Sequence, residues 1–440
     1  MVKYGILGAG WAGLLAAHEI KLKNPSAEVE LLEKSGRNEL GGLLKSEVIE
    51  GFTYDIGGPH ILFSRNAQTL GQILEILGDN WKQMERKNYI HFEGRIIPYP
   101  FENGIFTLPA TDRARIGSDL INCIIKLKNN PNWAPTSFLE WAQEVFGQEM
   151  ASRYLIPYNR KIWKRDLGNF DASWVFTPGR LPLPELEDVI YSIAGLKTIG
   201  YKEQANFFYP KRGGIQSLFN SLMSMVENEG CKIITGVNID SVAQSSDKQW
   251  QLNSHFEYNR IVSTLPPAHL IRSMDVPEEI RRLGDRLDYN RVVVVGIALD
   301  RPSPDQIALY VPQDDVIFHR YTWMNNLVSD SPIGKSNLIA EITIPKDRLV
   351  DPASIESEVV EGLIKLGIIN NTSEIIHVKT WLHEFGYPVY MKGHNEVRNK
   401  ILGFLSERNV ASVGRWGSWH YWNTDKVLEA VKSCNFIKNP

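Results

Sequence analysis

The sequence predicts an α/β protein in which a discontinuous Rossmann-like nucleotide-binding domain is interrupted by an inserted helical domain and by an antiparallel β-sheet domain. Three observations carry that prediction. The chain opens on a glycine-rich turn between an apolar strand and a helix, GILGAGWAG. A long stretch from about Thr111 to Ile193 is mostly helical in pattern. Strand-like segments then return, with a second glycine-containing turn before the last helix.

The apolar run Val2 to Leu7 reads as a buried strand that ends at Gly8-Ala9-Gly10-Trp11-Ala12-Gly13, before the helical pattern LLAAHEIKLK. Gly8 permits a tight turn, Gly10 lets the backbone approach a pyrophosphate, and Gly13 lets the helix pack on the strand. The helix N-terminus offers free N–H groups to the anion. A second strand, Glu28 to Leu32, closes at Glu33, where a carboxylate accepts hydrogen bonds from a ribose. NAD and FAD both use this unit. Lys34, Arg37 and then Leu40-Gly41-Gly42-Leu43 follow, and in flavoproteins of the glutathione-reductase kind such a diglycine lets the chain pass the pyrophosphate and flavin. FAD is therefore the expected cofactor. Its first contacts fall on Gly8, Gly10, Trp11, Ala12, Gly13, Glu33, Lys34, Gly41, Gly42 and Leu43.

The next stretch, GGLLKSEVIEGFTYDIGGPHILFSRN, resembles the matching part of the UDP-galactopyranose mutases, flavoenzymes of the amine-oxidase-like superfamily that interconvert pyranose and furanose forms of a nucleotide-linked sugar. In that family a Gly-Pro-His or Gly-Gly-His loop places a histidine beside the flavin ring. Gly57-Gly58-Pro59-His60 fits it, which implies flavin contacts at His60 and Ile61.

Further along, Ala67 to Leu77 is patterned as an amphipathic helix, and Tyr89 to Ile97 as a hairpin turning at Glu93-Gly94. The helical stretch is rich in tryptophan and punctuated at Pro131, Pro135 and Pro178 to Pro184. Phe208-Tyr209-Pro210-Lys211-Arg212-Gly213-Gly214-Ile215, with a helix to about Val226, resembles the return into the FAD domain of amine-oxidase-like flavoproteins. Strands are expected at Lys232 to Ile234, Val237 to Ala243, Trp250 to Leu252 and Arg260 to Thr264; in relatives Val237 would pair its backbone with the adenine. A second β-rich region follows, with strands at Val292 to Asp300, Ile307 to Val311 and Leu338 to Ile344. A helix from Pro352 to Leu366 and a strand from Ile375 to Leu382 then lead back towards the flavin. The expected division is 1–85, 205–265 and 380–440 for the FAD domain, 105–200 for the helical domain, and 86–104 with 266–379 for the β-sheet domain.

The final segment, Ser412-Val413-Gly414-Arg415-Trp416-Gly417-Ser418-Trp419-His420-Tyr421-Trp422-Asn423-Thr424-Asp425, reads as a strand, a glycine-containing turn and a helix from Lys426 to about Asn435. It resembles the mutases' closing motif. That likeness implies that Gly414 and Arg415 contact the FAD pyrophosphate, that Tyr421 faces substrate and flavin, and that Thr424, Asp425 and Lys426 line the flavin.

A diphosphate in a nearly neutral protein calls for fixed arginines. Composition cannot select them, but the resemblance does: Arg180 in PGRLP and Arg320 in VIFHR. Tyr310, Tyr387 and Tyr421 complete the phosphate environment, and Tyr158, Asn159 and Trp163 match the helix that contacts sugar and nucleotide. Two positions depart from the family. Leu155 stands where bacterial members carry a phenylalanine that stacks on uracil, and Glu102 stands where eukaryotic-type members often have glutamine, an amide that can donate where a carboxylate cannot.

Of 440 residues, 48 are Lys or Arg and 51 are Asp or Glu, a net charge of -3. That balance gives no broad attraction for nucleic acid. No apolar run approaches the length of a membrane span. The chain begins directly with its first strand, and its three cysteines lack metal-ligand spacing, so a cytoplasmic protein without metal is expected, compatible with a homodimer.

The resemblance implies catalysis without net redox change, by attack of reduced FAD N5 on the anomeric carbon with nucleoside diphosphate as leaving group. NADPH or NADH is the expected external reductant. In this scheme His60, Arg180 and Arg320 are the catalytic set, His60 orienting the loop beside the flavin and the arginines stabilising the departing charge. The alternative is an FAD-dependent oxidoreductase of the amine-oxidase or protoporphyrinogen-oxidase type. It shares both glycine-rich turns but needs no diphosphate clamp.

Overall fold

The computed structural model describes residues 1–176, 186–198 and 205–438. The opening unit is as the sequence reads: β1 (Lys3–Leu7), α1 (Trp11–Lys23) and β2 (Glu28–Glu33). β1 and β2 lie side by side and parallel at the centre of a five-stranded sheet. The strands Arg260–Ser263 and Val410–Ser412 extend it beyond β1, Lys232–Thr235 extends it beyond β2, and every pairing is parallel. Side chains alternate between two cores, as a sheet covered on both sides requires. Ile6, Leu31 and Val262 pack with α1 and the helices Gln216–Asn228 and Thr424–Ser433. Leu7, Leu32 and Ile261 pack against the helices Pro267–Arg272 and His394–Glu407.

The second body is a seven-stranded sheet in the order Ile375–Val389, Asp288–Leu299, Ser336–Pro345, Arg320–Trp323, Ala308–Tyr310, Asn88–Phe92, Arg95–Pro98. It is antiparallel except where Ala308–Tyr310 runs parallel to Asn88–Phe92. One face, with Val293, Val295 and Ile297, is covered by the helix Pro352–Lys365. The opposite face, with Val292, Val294 and Tyr387, meets the helical segment. There the helices Ala110–Asn129, Phe138–Met150 and Ile156–Trp163 follow one another, the last two joined by a π-helical turn at Ala151–Leu155. The helix Ala67–Leu77 and the hairpin of Asn88–Phe92 with Arg95–Pro98 fall where the sequence places them.

Two expectations are corrected. Residues 237–241 are not a strand. The chain loops there so that the Val237 N–H donates to the Glu33 carbonyl, and the strand proper is Val242–Gln244, in a three-stranded meander. Residues 380–389 were expected with the cofactor-binding segments, but the strand Ile375–Val389 pairs along its length with Asp288–Leu299 and belongs to the seven-stranded sheet. A strand that continues an existing ladder keeps its hydrogen bonds, whereas one that left it midway would expose them.

Candidate active site

Two glycine-rich segments frame an open cradle at the end of β1. A Cβ added at Gly13 would overlap the Gly8 carbonyl oxygen, so that only glycine lets α1 start so close to β1. At Gly10 an added Cβ would meet nothing within 4 Å, and the nearest atom to one at Gly42 would be the Gly10 Cα, at 3.8 Å. The backbone therefore leaves room beside Gly10 and Gly42, while Gly41 abuts Gln216 and Lys45. Glu33 closes the far side of the cradle, accepting from Ala9 N and Ser35 N at 3.0 Å each. Lys34 beside it is exposed. The Val237 N–H is already engaged by the Glu33 carbonyl. Gly414 packs on Ala12, and the Trp11 indole donates to the Thr424 carbonyl at 3.2 Å, so the closing motif is bound to the opening one.

From this cradle a cleft of about 1610 Å³, its open mouth included, runs between the seven-stranded sheet and the helical segment. Its near end is lined by Leu43, Gly57, His60, Ile61, Tyr421, Asn423 and Thr424. Asp425 is buried just beyond, and burial raises its carboxyl pKa; Lys426 pairs with Glu429 at 2.7 Å. Gly57 presses on the Leu43 carbonyl so closely that no Cβ fits, which brings the His60 loop over Leu43. His60 Nδ1 lies 2.8 Å from the Gly58 carbonyl. A carbonyl only accepts, so Nδ1 carries the proton and Nε2 is the free acceptor. Burial, with Arg415 next, pushes the imidazole down to about 3, keeping it neutral at physiological pH.

Arg320 lies in the middle of the cleft. Its Nε and Nη2 bind the two oxygens of Glu341, each at 2.6 Å, and the Glu341 side chain is only 1% exposed. Burial opposes the guanidinium charge, but the carboxylate more than restores it, so Arg320 stays protonated. The pair occupies two of five N–H donors and leaves the Nη1 end available to an anion. Three tyrosines surround it. Tyr387 and Tyr421 meet edge-on at 4.9 Å, the Arg415 guanidinium lies 4.5 Å from the Tyr421 ring, and Tyr310 stacks on Tyr99 at 4.6 Å. Arg415 also donates to the Gly386 carbonyl at 2.5 Å.

The far end of the cleft is aromatic. Tyr158 stacks on Tyr154 at 5.7 Å, Tyr154 on Phe101 at 4.7 Å, and Phe146, Leu155 and the buried Glu102 complete the wall. Asn159 and Trp163 line the cleft, but their polar atoms are already engaged. The Asn159 amide donates to the Leu155 carbonyl at 2.8 Å and accepts from the Trp163 indole at 3.1 Å. Arg180 lies outside the described residues. The other residues expected at the substrate, Tyr158, Tyr310, Arg320, Tyr387 and Tyr421, share this one cleft. Sequence reasoning missed Glu341 and His319, both cleft-lining. A glutamate inside the apolar run LIAEITIP was the available signal for the first.

A model of the flavin-containing amine oxidoreductases matches residues 11–424. The chain belongs to that family. Among solved structures of the wider fold, a reduced UDP-galactopyranose mutase aligns with a TM-score of 0.87 at 25% identity, covering 98% of this chain and 92% of that one. A putative protoporphyrinogen oxidase from Exiguobacterium sp. 255-15 aligns at TM-score 0.74 and 15% identity, over 98% of both chains. Cyclohexylamine oxidase from Brevibacterium oxydans IH-35A reaches 0.65 at 15% identity, again over 98% of both. A curated relative, coproporphyrinogen III oxidase of Staphylococcus aureus (strain NCTC 8325 / PS 47), is 22% identical over 282 residues, 59% of this chain. The match spans 60% of that relative's length. The cradle left open at Gly10 and Gly42, with the Glu33 carboxylate at one end and neutral His60 at the other, fits the family's flavin in its dinucleotide form. Among the described residues no helix is long and apolar enough to cross a membrane, and no cluster of His, Cys, Asp or Glu is arranged to hold a metal ion.

Proposed function

We propose that the protein is a flavin-dependent mutase that interconverts the pyranose and furanose forms of a nucleotide sugar, with UDP-galactopyranose and UDP-galactofuranose as the substrate pair. The observation that carries this reading is Arg320, a charged guanidinium with one end open, held in the cleft that begins at the flavin cradle and ringed by Tyr310, Tyr387 and Tyr421. A cationic amine would not call for such a group. The likeness to the reduced mutase, at 25% identity over nearly the whole of both chains, supports the same reading.

Reduced FAD, when bound, supplies the nucleophile for the anomeric carbon. The chain's own residues then have separable tasks. Arg320 and the tyrosine hydroxyls bind the diphosphate and offset its charge as it leaves the sugar. Arg180 is proposed as a second such group. Neutral His60, with its proton fixed on Nδ1, presents Nε2 as an acceptor to the flavin-side end of the cleft. Tyr158, at the end of a stack with Tyr154 and Phe101, offers a ring face to a base and, with Trp163, excludes water.

The test is an anaerobic incubation of the yellow protein with dithionite and UDP-galactofuranose, following UDP-galactopyranose by chromatography. Conversion that requires reductant without consuming it in step with product is expected. An oxidoreductase acting on amines or porphyrinogens, the chemistry named for several structural neighbours, would instead convert no furanose and take up oxygen with those substrates.

A further inference from the structure

One cleft residue has no task in that scheme. His319 immediately precedes Arg320, is 3% exposed, and its Nδ1 has no hydrogen-bond partner. A buried polar atom left without a partner costs free energy unless something arrives to satisfy it. The local backbone is shaped to put it there. Phe318, Tyr321 and Trp323 point into the core on the other face of the sheet, yet His319 and Arg320 both line the cleft. Strict alternation would have sent one of these two to the opposite side. The chain bends at this point while His319 keeps its backbone bonds to Glu341 and Val311.

The electrostatic setting has a clear sense. Glu341 already engages two of the Arg320 donors, so a dianion meets only the remaining end of that guanidinium and a charge it shares with the carboxylate. Facing His319 are Arg320, Lys161 and Lys164 from the cationic side, the Tyr387 ring at 6.4 Å, and Glu341 across the sheet through Arg320. Burial, then these cations, hold the imidazole well below the usual histidine range, so it is neutral in the free protein. A dianion placed beside it reverses the sign of the local field.

We propose that His319 is a binding residue for the diphosphate of the substrate and takes up one proton as that dianion enters the cleft. The inference rests on the nucleotide-sugar reading given above and adds to it a group that supplies charge only when ligand is present.

Calorimetric titration of UDP-galactose into the oxidised, flavin-loaded enzyme at pH 6.5, in two buffers of different ionisation enthalpy, counts the protons taken up. The diphosphate diester does not itself titrate near that pH, so uptake reports on the protein. About one proton is expected for the wild type, and well below one, no more than the fraction Lys161 lacks at this pH, for His319→Gln or His319→Asn. Over pH 6–7 the apparent dissociation constant should rise by up to about tenfold per pH unit in the wild type and change far less in the variants. His60→Gln, which alters the other cleft histidine, should keep the uptake. Binding of UDP-galactose to the wild type without proton uptake overturns the role of His319, whether or not its variants fold. So does uptake of about one proton that persists in either variant. Binding of neither UDP-galactose nor GDP-mannose removes the nucleotide-sugar reading itself, and the inference with it.

Discussion

Replacing Arg320 by alanine separates its structural role from its functional one. In the folded protein it forms a bidentate pair with a carboxylate whose side chain is 1% exposed. Taking the guanidinium away leaves Glu341 buried and uncompensated, so Arg320→Ala should cost about 3–5 kcal/mol of stability, most of it the penalty of the stranded carboxylate. Removing both charges together avoids that penalty. The double variant Arg320→Met, Glu341→Leu should lie within about 1 kcal/mol of wild type or above it. Its flavin should remain bound, because neither residue lies in the Gly10–Gly42 cradle. Turnover of the nucleotide sugar should nevertheless be lost in both variants. The assays are urea denaturation followed through flavin absorbance and far-ultraviolet circular dichroism, and chromatographic turnover with dithionite. A loss below about 1 kcal/mol in Arg320→Ala would contradict the desolvated pair. A double variant that still converts substrate would show that the cleft does not grip the diphosphate through Arg320.

Other perturbations test separate parts of the structure. Gly10→Val should fold normally and purify colourless, because its side chain enters empty space that the cofactor needs; Gly13→Val, which collides with the Gly8 carbonyl, should lose stability as well as flavin. A yellow Gly10→Val protein would remove the cradle as the cofactor site. Asp55, fully buried and accepting from Tyr209, Ser46 and Ile215, is pushed up to about 6 by burial despite those donors. The folded state then holds its proton at a pH where the unfolded chain has lost it, so this group makes stability fall as pH rises from about 4 to 6; in Asp55→Asn that slope should vanish from the denaturation profile. Lys161 titrates in the opposite direction. Burial lowers it to about 7, the unfolded chain binds the extra proton between about pH 7 and 10, and stability should rise over that range by up to about 1.4 kcal/mol per pH unit in wild type but not in Lys161→Met.

Features written in local sequence were legible, and those created by register were not. Gly8 to Gly13 specify a turn by excluding side chains, and Glu93-Gly94, both at positive φ, close a hairpin that alternation had already outlined. Val237 to Ala243 carries the same alternation, yet its first residues are held by the Glu33 carbonyl, a contact between chain segments two hundred residues apart. Glu341 is a similar case. Within LIAEITIP it is an anomaly without a partner, until the antiparallel register sets Arg320 opposite it. His319 was hidden because period-2 reasoning sends neighbours of Arg320 away from the cleft, and the bend that overrides the period leaves no mark in composition. Asn159 was read as a substrate contact from its helix motif; that its amide holds Leu155 and Trp163 follows from spacing of four in each direction along the helix.

The sheet does more than wall the cleft. Register aligns Tyr310, Arg320, Glu341 and Val294 in one row across four strands, and Thr343 and Val292 stand one step further along the same face. Thr343 donates to the carbonyls of Lys161 and Ile162, and Asn290 donates to those of Ile162 and Trp163. These are the last turn of the helix Ile156–Trp163, whose carbonyls have no partners within the helix. Lys161 then reaches back to the carbonyls of Val311 and Gln313, beyond the end of the strand that carries Tyr310. The last turn of the helix bearing Tyr158 and the sheet bearing Arg320 are therefore fastened to each other by polar bonds. The distance between the aromatic wall and the guanidinium is a property of one rigid unit. A ligand that spans them must match a length that the fold sets.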